Sequence, residues 1–325
     1  MRSYLDNVWS GGGTNRLKRV FNTMALQDHQ GALRQINDDR LGFPVLFILA
    51  QEINALQLYP GLSQKSKMAL NICIKKIYKH DINDATINML DREALYQTLK
   101  WMFETGKDWG GPSSGQDAYD SVIDYVSALL IITFEDKSVL KDIVNLIFKR
   151  NRQGLYIHDL VWSFFQTLDR DALNIVAGYL LSNQRRDVEL AGKLLCLDIP
   201  ETPNAGGIRK TQREFLNWLD DNKPFLYLTG EHFQMTSKPR HLDADKEAKY
   251  LGKEISPRHR APVAPLTENE IQCLHRYRAS TSEEQELLTD YSHKLRYRNT
   301  PLWYEWMQQN TAEQVMVARM MYEAV

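Results

Sequence analysis

SVIDYVSALLIITFEDKSVLKDIVNLIFKR, residues 121–150, is the stretch whose reading decides the fold. Val122, Ile123, Val126, Leu129 and Leu130 recur three and four residues apart, which places them on one broad helical face. After a short polar break the pattern repeats through Val139, Leu140, Ile143, Val144 and Ile147. Two such apolar helices in succession belong at the centre of a core and need other helices to cover them.

Working outward toward the N-terminus, the spacing predicts those other helices. Gly11, Gly12 and Gly13 read as a flexible leader, and Thr14 is placed to cap a helix with Leu17, Val20, Phe21 and Met24 on one face. Pro44 at a first helical turn opens the run VLFILAQEINALQLY, and Pro60 closes it. Ser63 starts a helix buried through Ala69, Ile72, Cys73 and Ile77. Residues 91–105 turn Leu95, Leu99, Met102 and Phe103 inward, with Gly106 as the expected C-terminal cap. KDWGGPSSGQ, residues 107–116, is the loop between two groups of helices.

Toward the C-terminus, helices are expected over residues 159–168, 172–182 and 188–198, with turns short enough to make them antiparallel neighbours. Within them, DRDALNIVAGYLLSNQRRDVELAGKLLCLDIP, residues 169–200, resembles one unit of a HEAT or armadillo-type helical repeat. The specific part is the turn QRRD followed by Val188, Leu190, Ala191, Leu194 and Leu195. The resemblance covers this unit alone, and it implies stacked helix pairs that offer a face to a protein partner. Residues 1–200 are therefore expected to form a mostly all-α body, either repeat-like or an irregular helical bundle.

Beyond Pro200 the character changes. ETPNAGGIRK marks a boundary, and a helix through Phe215, Leu216, Trp218 and Leu219 follows it. KPFLYLTGEHFQMT, residues 223–236, carries the strand signal, with aromatics on both sides of Thr229 and Gly230, and predicts a β-hairpin closing the segment 201–236. Residues 237–265 are polar, rich in proline and short of core residues, and read as an exposed linker or arm. Residues 266–325 recover helical grammar as a small helical module, with capping-box spacing at Thr267 and Glu270 and again at Thr311 and Gln314. Ser282 and the pair Thr300 and Pro301 supply further start signals. Ile271, Leu274, Leu287, Leu288, Leu295, Trp303, Trp306, Val315 and Met316 are expected to face inward.

At 325 residues, the chain suggests two structural units or one extended array. Its 43% hydrophobic residues suffice for a sizeable core, and 40 basic against 41 acidic residues remove any case for nucleic acid or membrane from overall charge. Cys73, Cys196 and Cys273 sit in apolar patterns and read as buried thiols in a reducing compartment. With no signal-peptide core and no spanning run, a cytoplasmic protein is expected.

No spacing nominates a catalytic, metal or cofactor residue: the eight histidines form no HExxH run, no GxSxG elbow occurs, and the glycines at 11–13 lack a P-loop lysine. The candidate anchors for a protein partner are aromatic: Trp109, Phe225, Tyr227, Phe233, Trp303 and Tyr304, with a core position the competing reading for Trp303. Lys238, Arg240, Arg258 and Arg260 of the arm are the candidate contacts to an anion or nucleic acid. The expectation is a non-catalytic scaffold without cofactor, binding a protein partner or a second copy of itself. Its alternative is a nucleic-acid-associated factor that also uses Arg276, Arg278, Arg296 and Arg298; an enzyme without a recognisable motif ranks third.

Overall fold

The structure is a computed structural model, described for residues 2–78, 91–109, 116–167, 169–200 and 205–323. Among these the chain is mostly all-α, with one two-stranded antiparallel sheet. It divides into two compact units, Met1–Thr167 and Leu168–Val325.

The first unit contains α1 (Tyr4–Gln27), α2 (His29–Ile36), α3 (Phe43–Ile48), α4 (Ala50–Ala55), α5 (Gln64–Tyr78), α6 (Arg92–Gly106), α7 (Gln116–Ile132), α8 (Leu140–Gln153) and α9 (His158–Phe165). The expected central pair is α7 and α8, and Val122, Val126, Leu130, Ile143, Val144 and Ile147 are fully buried. Pro44 lies in the first turn of α3, and the Ser63 hydroxyl accepts the Ser66 N–H at the start of α5. Of the expected loop 107–116, residues 110–115 lie outside the described residues.

Two glycine expectations change. The leader is helical: α1 starts at Tyr4, capped by the Ser3 side chain, because Leu5 and Asp6 have buried places to fill. Its helical path breaks at Gly13, whose φ of 70° suits glycine. Gly106 is not a left-handed cap. It is the last residue of α6, and an added Cβ would lie 2.5 Å from Tyr119 Oη and 2.9 Å from Ile123 Cδ1. Glycine is there to let α7 approach. Tyr119 fills the contact, donating to the Gly106 carbonyl at 2.9 Å and stacking on Phe43 at 5.6 Å.

The second unit contains α10 (Leu173–Gly178), α11 (Arg185–Leu195), α12 (Ala205–Asn222), β1 (Leu226–Leu228), β2 (Leu242–Ala244), α13 (Lys246–Leu251), α14 (Glu268–Arg278), α15 (Ser282–Arg298), α16 (Thr300–Gln308) and α17 (Thr311–Glu323). The helices of residues 169–200 thus belong to this unit rather than closing a 1–200 body, since α10 packs on α11 and α12. Residues 201–204 of the expected boundary lie outside the described residues.

The hairpin and the arm are both corrected. β1 pairs with β2, Leu226 opposite Ala244 and Leu228 opposite Leu242, so the chain returns to the sheet from inside the arm and not at Thr229 and Gly230. The connection is long and closes on itself: Thr229 N–H donates to the His241 carbonyl, and the Glu231 carboxylate accepts the Arg240 N–H at 2.8 Å. The other side of β1 is occupied too, because Leu228 N–H donates to the Pro257 carbonyl and Ile255 N–H to that of Pro224. Residues 239–257 are therefore packed, as part of the sheet and α13, while residues 258–265 are exposed as expected of the arm. The few apolar residues of the packed part are enough: Ala248, Tyr250, Leu251 and Ile255 are all buried.

The last four helices, α14 to α17, pack around a core that also takes in Tyr250 and Leu251 of α13. Thr267 and Glu270 form a full capping box, and so do Thr281 and Glu284, one residue ahead of the expected start. Thr311 and Gln314 do not. Asn310 caps α17 through the Glu313 N–H, while Gln314 is buried, accepting from Tyr250 Oη and donating to the Trp306 carbonyl. Ile271 and Met316, expected inward, are exposed.

Candidate functional site

The second unit has a cleft of about 440 Å³ between α11, α12 and β2. Thr211, Glu214, Phe215 and Trp218 line it because their three- and four-residue spacing puts them on one face of α12. Leu194 and Leu195 come from the last turn of α11, and Leu173 from the start of α10. Leu242, Asp243 and the preceding Arg240 close the opposite side. Phe215 is buried and Trp218 is 40% exposed, their rings stacked with centroids 5.9 Å apart.

Cys196 also lines the cleft. It caps α11 in the left-handed conformation (φ 56°, ψ 40°), a place where glycine usually sits, and its N–H is satisfied by the Gly192 and Lys193 carbonyls. Its Sγ donates to the Pro239 carbonyl at 3.6 Å, and burial raises its pKa, so it is present as the thiol. Contrary to expectation, Cys196 is exposed, whereas Cys73 and Cys273 are buried.

Each polar group at the rim has a partner within the unit. Arg240 pairs with Asp243 at 3.3 Å, Asp243 also accepts the Ala244 N–H, and Glu214 pairs with Lys210 at 3.7 Å. What remains for a visitor is apolar: the Trp218 ring over a floor of Phe215, Leu194, Leu195 and Leu242. Such an arrangement can bury an apolar side chain but has no poised acid, base or nucleophile. Among the described residues no group of His, Cys, Asp or Glu is arranged to hold a metal ion. The first unit has an apolar cleft of about 450 Å³ of its own, lined by Phe47, Ile53, Tyr59, Leu70, Ile74 and Ile77 among others.

The structure scatters the six aromatic candidates. Trp109 is half-buried against Tyr119 (4.4 Å) and Trp9 (5.2 Å). Phe225 is buried with Ala248 and Ile255, and Tyr227 is partly buried beside them. Phe233 is half-buried edge-on to His241. Trp303 is 6% exposed and donates from Nε1 to Ser292 Oγ at 2.8 Å. Its neighbour Tyr304 is 60% exposed. Trp303 and Phe225 are therefore core residues rather than surface anchors, because each fills space that only its own unit offers.

The four basic candidates divide in two. Lys238 and Arg258 are exposed and form no ion pair among the described residues. Arg240 is held by Asp243, while Arg260 bonds Asp245 and lies 4.4 Å over the Tyr227 ring. Leu194 and Trp218, ordinary apolar positions in the sequence, and Leu242, inside the expected arm, emerge as cleft residues because three distant segments converge there.

No protein-family model matches this chain, and neither a curated protein nor a solved structure matches it. No helix among the described residues is long and apolar enough to cross a membrane.

Proposed function

We propose that this chain is a non-catalytic protein-binding scaffold whose second unit grips a protein partner through the cleft between α11, α12 and β2. The observation that carries this reading is Trp218, a large aromatic left 40% exposed on a stacked apolar floor and flanked by internally satisfied polar groups. An aromatic anchor in such a setting gains most from excluding water, and the polar rim adds selectivity. The helix pair α10 and α11, joined through the short turn at residues 182–184, supports a repeat-like scaffold around the cleft. Three free cysteines suit a reducing, cytoplasmic setting. The engagement of Arg240 and Arg260 with carboxylates makes the arm a poor track for phosphates.

The test is affinity capture from extract of the source cell, using the intact protein and Trp218→Asp in parallel. The reading expects a protein retained by the first and lost by the second. Identical retained sets, or none in either, would contradict it.

A further inference from the structure

Arg150, near the C-terminal end of α8, is 3% exposed and reaches two carboxylates on α7. Its Nη1 donates to Asp124 at 2.6 Å and its Nη2 to Asp120 at 3.0 Å. Asp124 is 4% exposed and Asp120 only partly exposed, so the charges meet where water is scarce. Asp124 has charged neighbours of both signs. Asp159 of α9 and Asp120 both face it with like charge, and Arg150 is the opposing cation. Around Asp120, Asp117 adds like charge, and Lys149 of α8 opposes it from the more exposed side. From α5, Lys76 lies over the Tyr125 ring.

One buried guanidinium against two carboxylates leaves a net negative charge that burial penalises. A single proton on the pair removes it without breaking the ion pair that remains. We propose that Asp120, Asp124 and Arg150 form a proton-operated clasp between α7 and α8, tight with one proton aboard and loosened when both carboxylates are charged.

The direction of titration agrees. Burial, the largest cause, raises both carboxylates, and pushes Asp124 from 3.8 to about 7 against the opposing pull of Arg150. The proton belongs to the coupled pair rather than to either residue. Because the folded state holds it more tightly than the unfolded chain, the stabilisation is full below the unfolded value of 3.8 and is lost as pH rises through about 7. The clasp thus responds between weakly acidic and neutral pH.

Hydrogen–deuterium exchange on the full chain reads this locally, through peptides covering α7 and α8, after correction for the intrinsic pH dependence of exchange. Protection should fall about tenfold or more between pH 5.5 and pH 8. Asp124→Asn removes the more deeply buried carboxylate and leaves Asp120 alone with Arg150, and it should flatten the change to below about threefold; Asp120→Asn, which removes the lesser like-charged neighbour, should flatten it in part. Should one of them fail to fold, the other and the wild-type profile still decide. Protection in the wild type that is constant or higher at pH 8 would overturn the proposal. So would full wild-type dependence persisting in a folded variant.

Discussion

The guanidinium of Arg260 lies 4.4 Å over the ring of Tyr227 and donates from Nε to Asp245, tying the turn at residues 256–261 to β1 and to the cap of α13. Asp245 is itself committed, accepting the Ala248 N–H at 2.8 Å and donating its own N–H to the Phe225 carbonyl. Arg260 holds this place although its φ of 53° is unfavourable for a side-chain-bearing residue. Arg260→Ala should therefore cost about 1–2 kcal/mol, discounted for the half-exposed guanidinium. Urea unfolding followed on the second unit checks this. An unchanged midpoint would show that the contact fastens nothing.

Gly106 and Gly178 predict opposite signs for the same change. Gly106→Ala places a methyl against Tyr119 and Ile123 in a close helix contact, an overpacking worth about 1–3 kcal/mol of destabilisation. Gly178, in helical conformation with nothing within 4 Å of an added Cβ, should gain about 0.5–1 kcal/mol as alanine. Thermal melts of both variants should move in opposite directions.

Adjacent Trp303 and Tyr304 separate core from surface. Trp303→Ala opens a cavity in the core of the last four helices and removes the indole donor to Ser292, whose hydroxyl keeps its bond to the Tyr250 carbonyl, costing about 3–5 kcal/mol. Tyr304→Ala should stay within about 0.5 kcal/mol. Near-ultraviolet circular dichroism with a denaturant titration distinguishes them, and equal effects would contradict the placement.

The helices around Val122 and Ile143 were legible because periodic apolar residues leave a broad face no other element could bury. The capping box at Thr267 was legible because it is local, needing only residues three apart. The same local rule misled at Thr311 and Gln314, where the distant Tyr250 and Trp306 claim the Gln314 side chain. The arm misled for the opposite reason: its polar residues suggested solvent, yet Tyr250, Leu251 and Ile255 suffice to anchor it, and Arg260 and Lys253 are ion-paired. Trp218 was read as one more residue of an amphipathic face. Its role depends on Leu194 and Leu242 arriving beside it, which no spacing along the chain reveals.

Lys238 and Arg258 bear on the nucleic-acid alternative. With Arg240 and Arg260 engaged by carboxylates, these two cations are too few to release many counterions. Purified protein should bind neither duplex DNA nor single-stranded RNA tighter than about micromolar at physiological salt. Fluorescence anisotropy checks this, and submicromolar binding abolished by Lys238→Glu with Arg258→Glu would promote that alternative.

The most direct test of the scaffold reading is calorimetric titration of the captured partner, once purified, into wild-type protein, Trp218→Asp and Arg258→Glu. Binding through the apolar cleft predicts at least about a tenfold loss of affinity for Trp218→Asp, little change for Arg258→Glu and weak salt dependence. Full affinity in Trp218→Asp, or loss in Arg258→Glu with steep salt dependence, would contradict it.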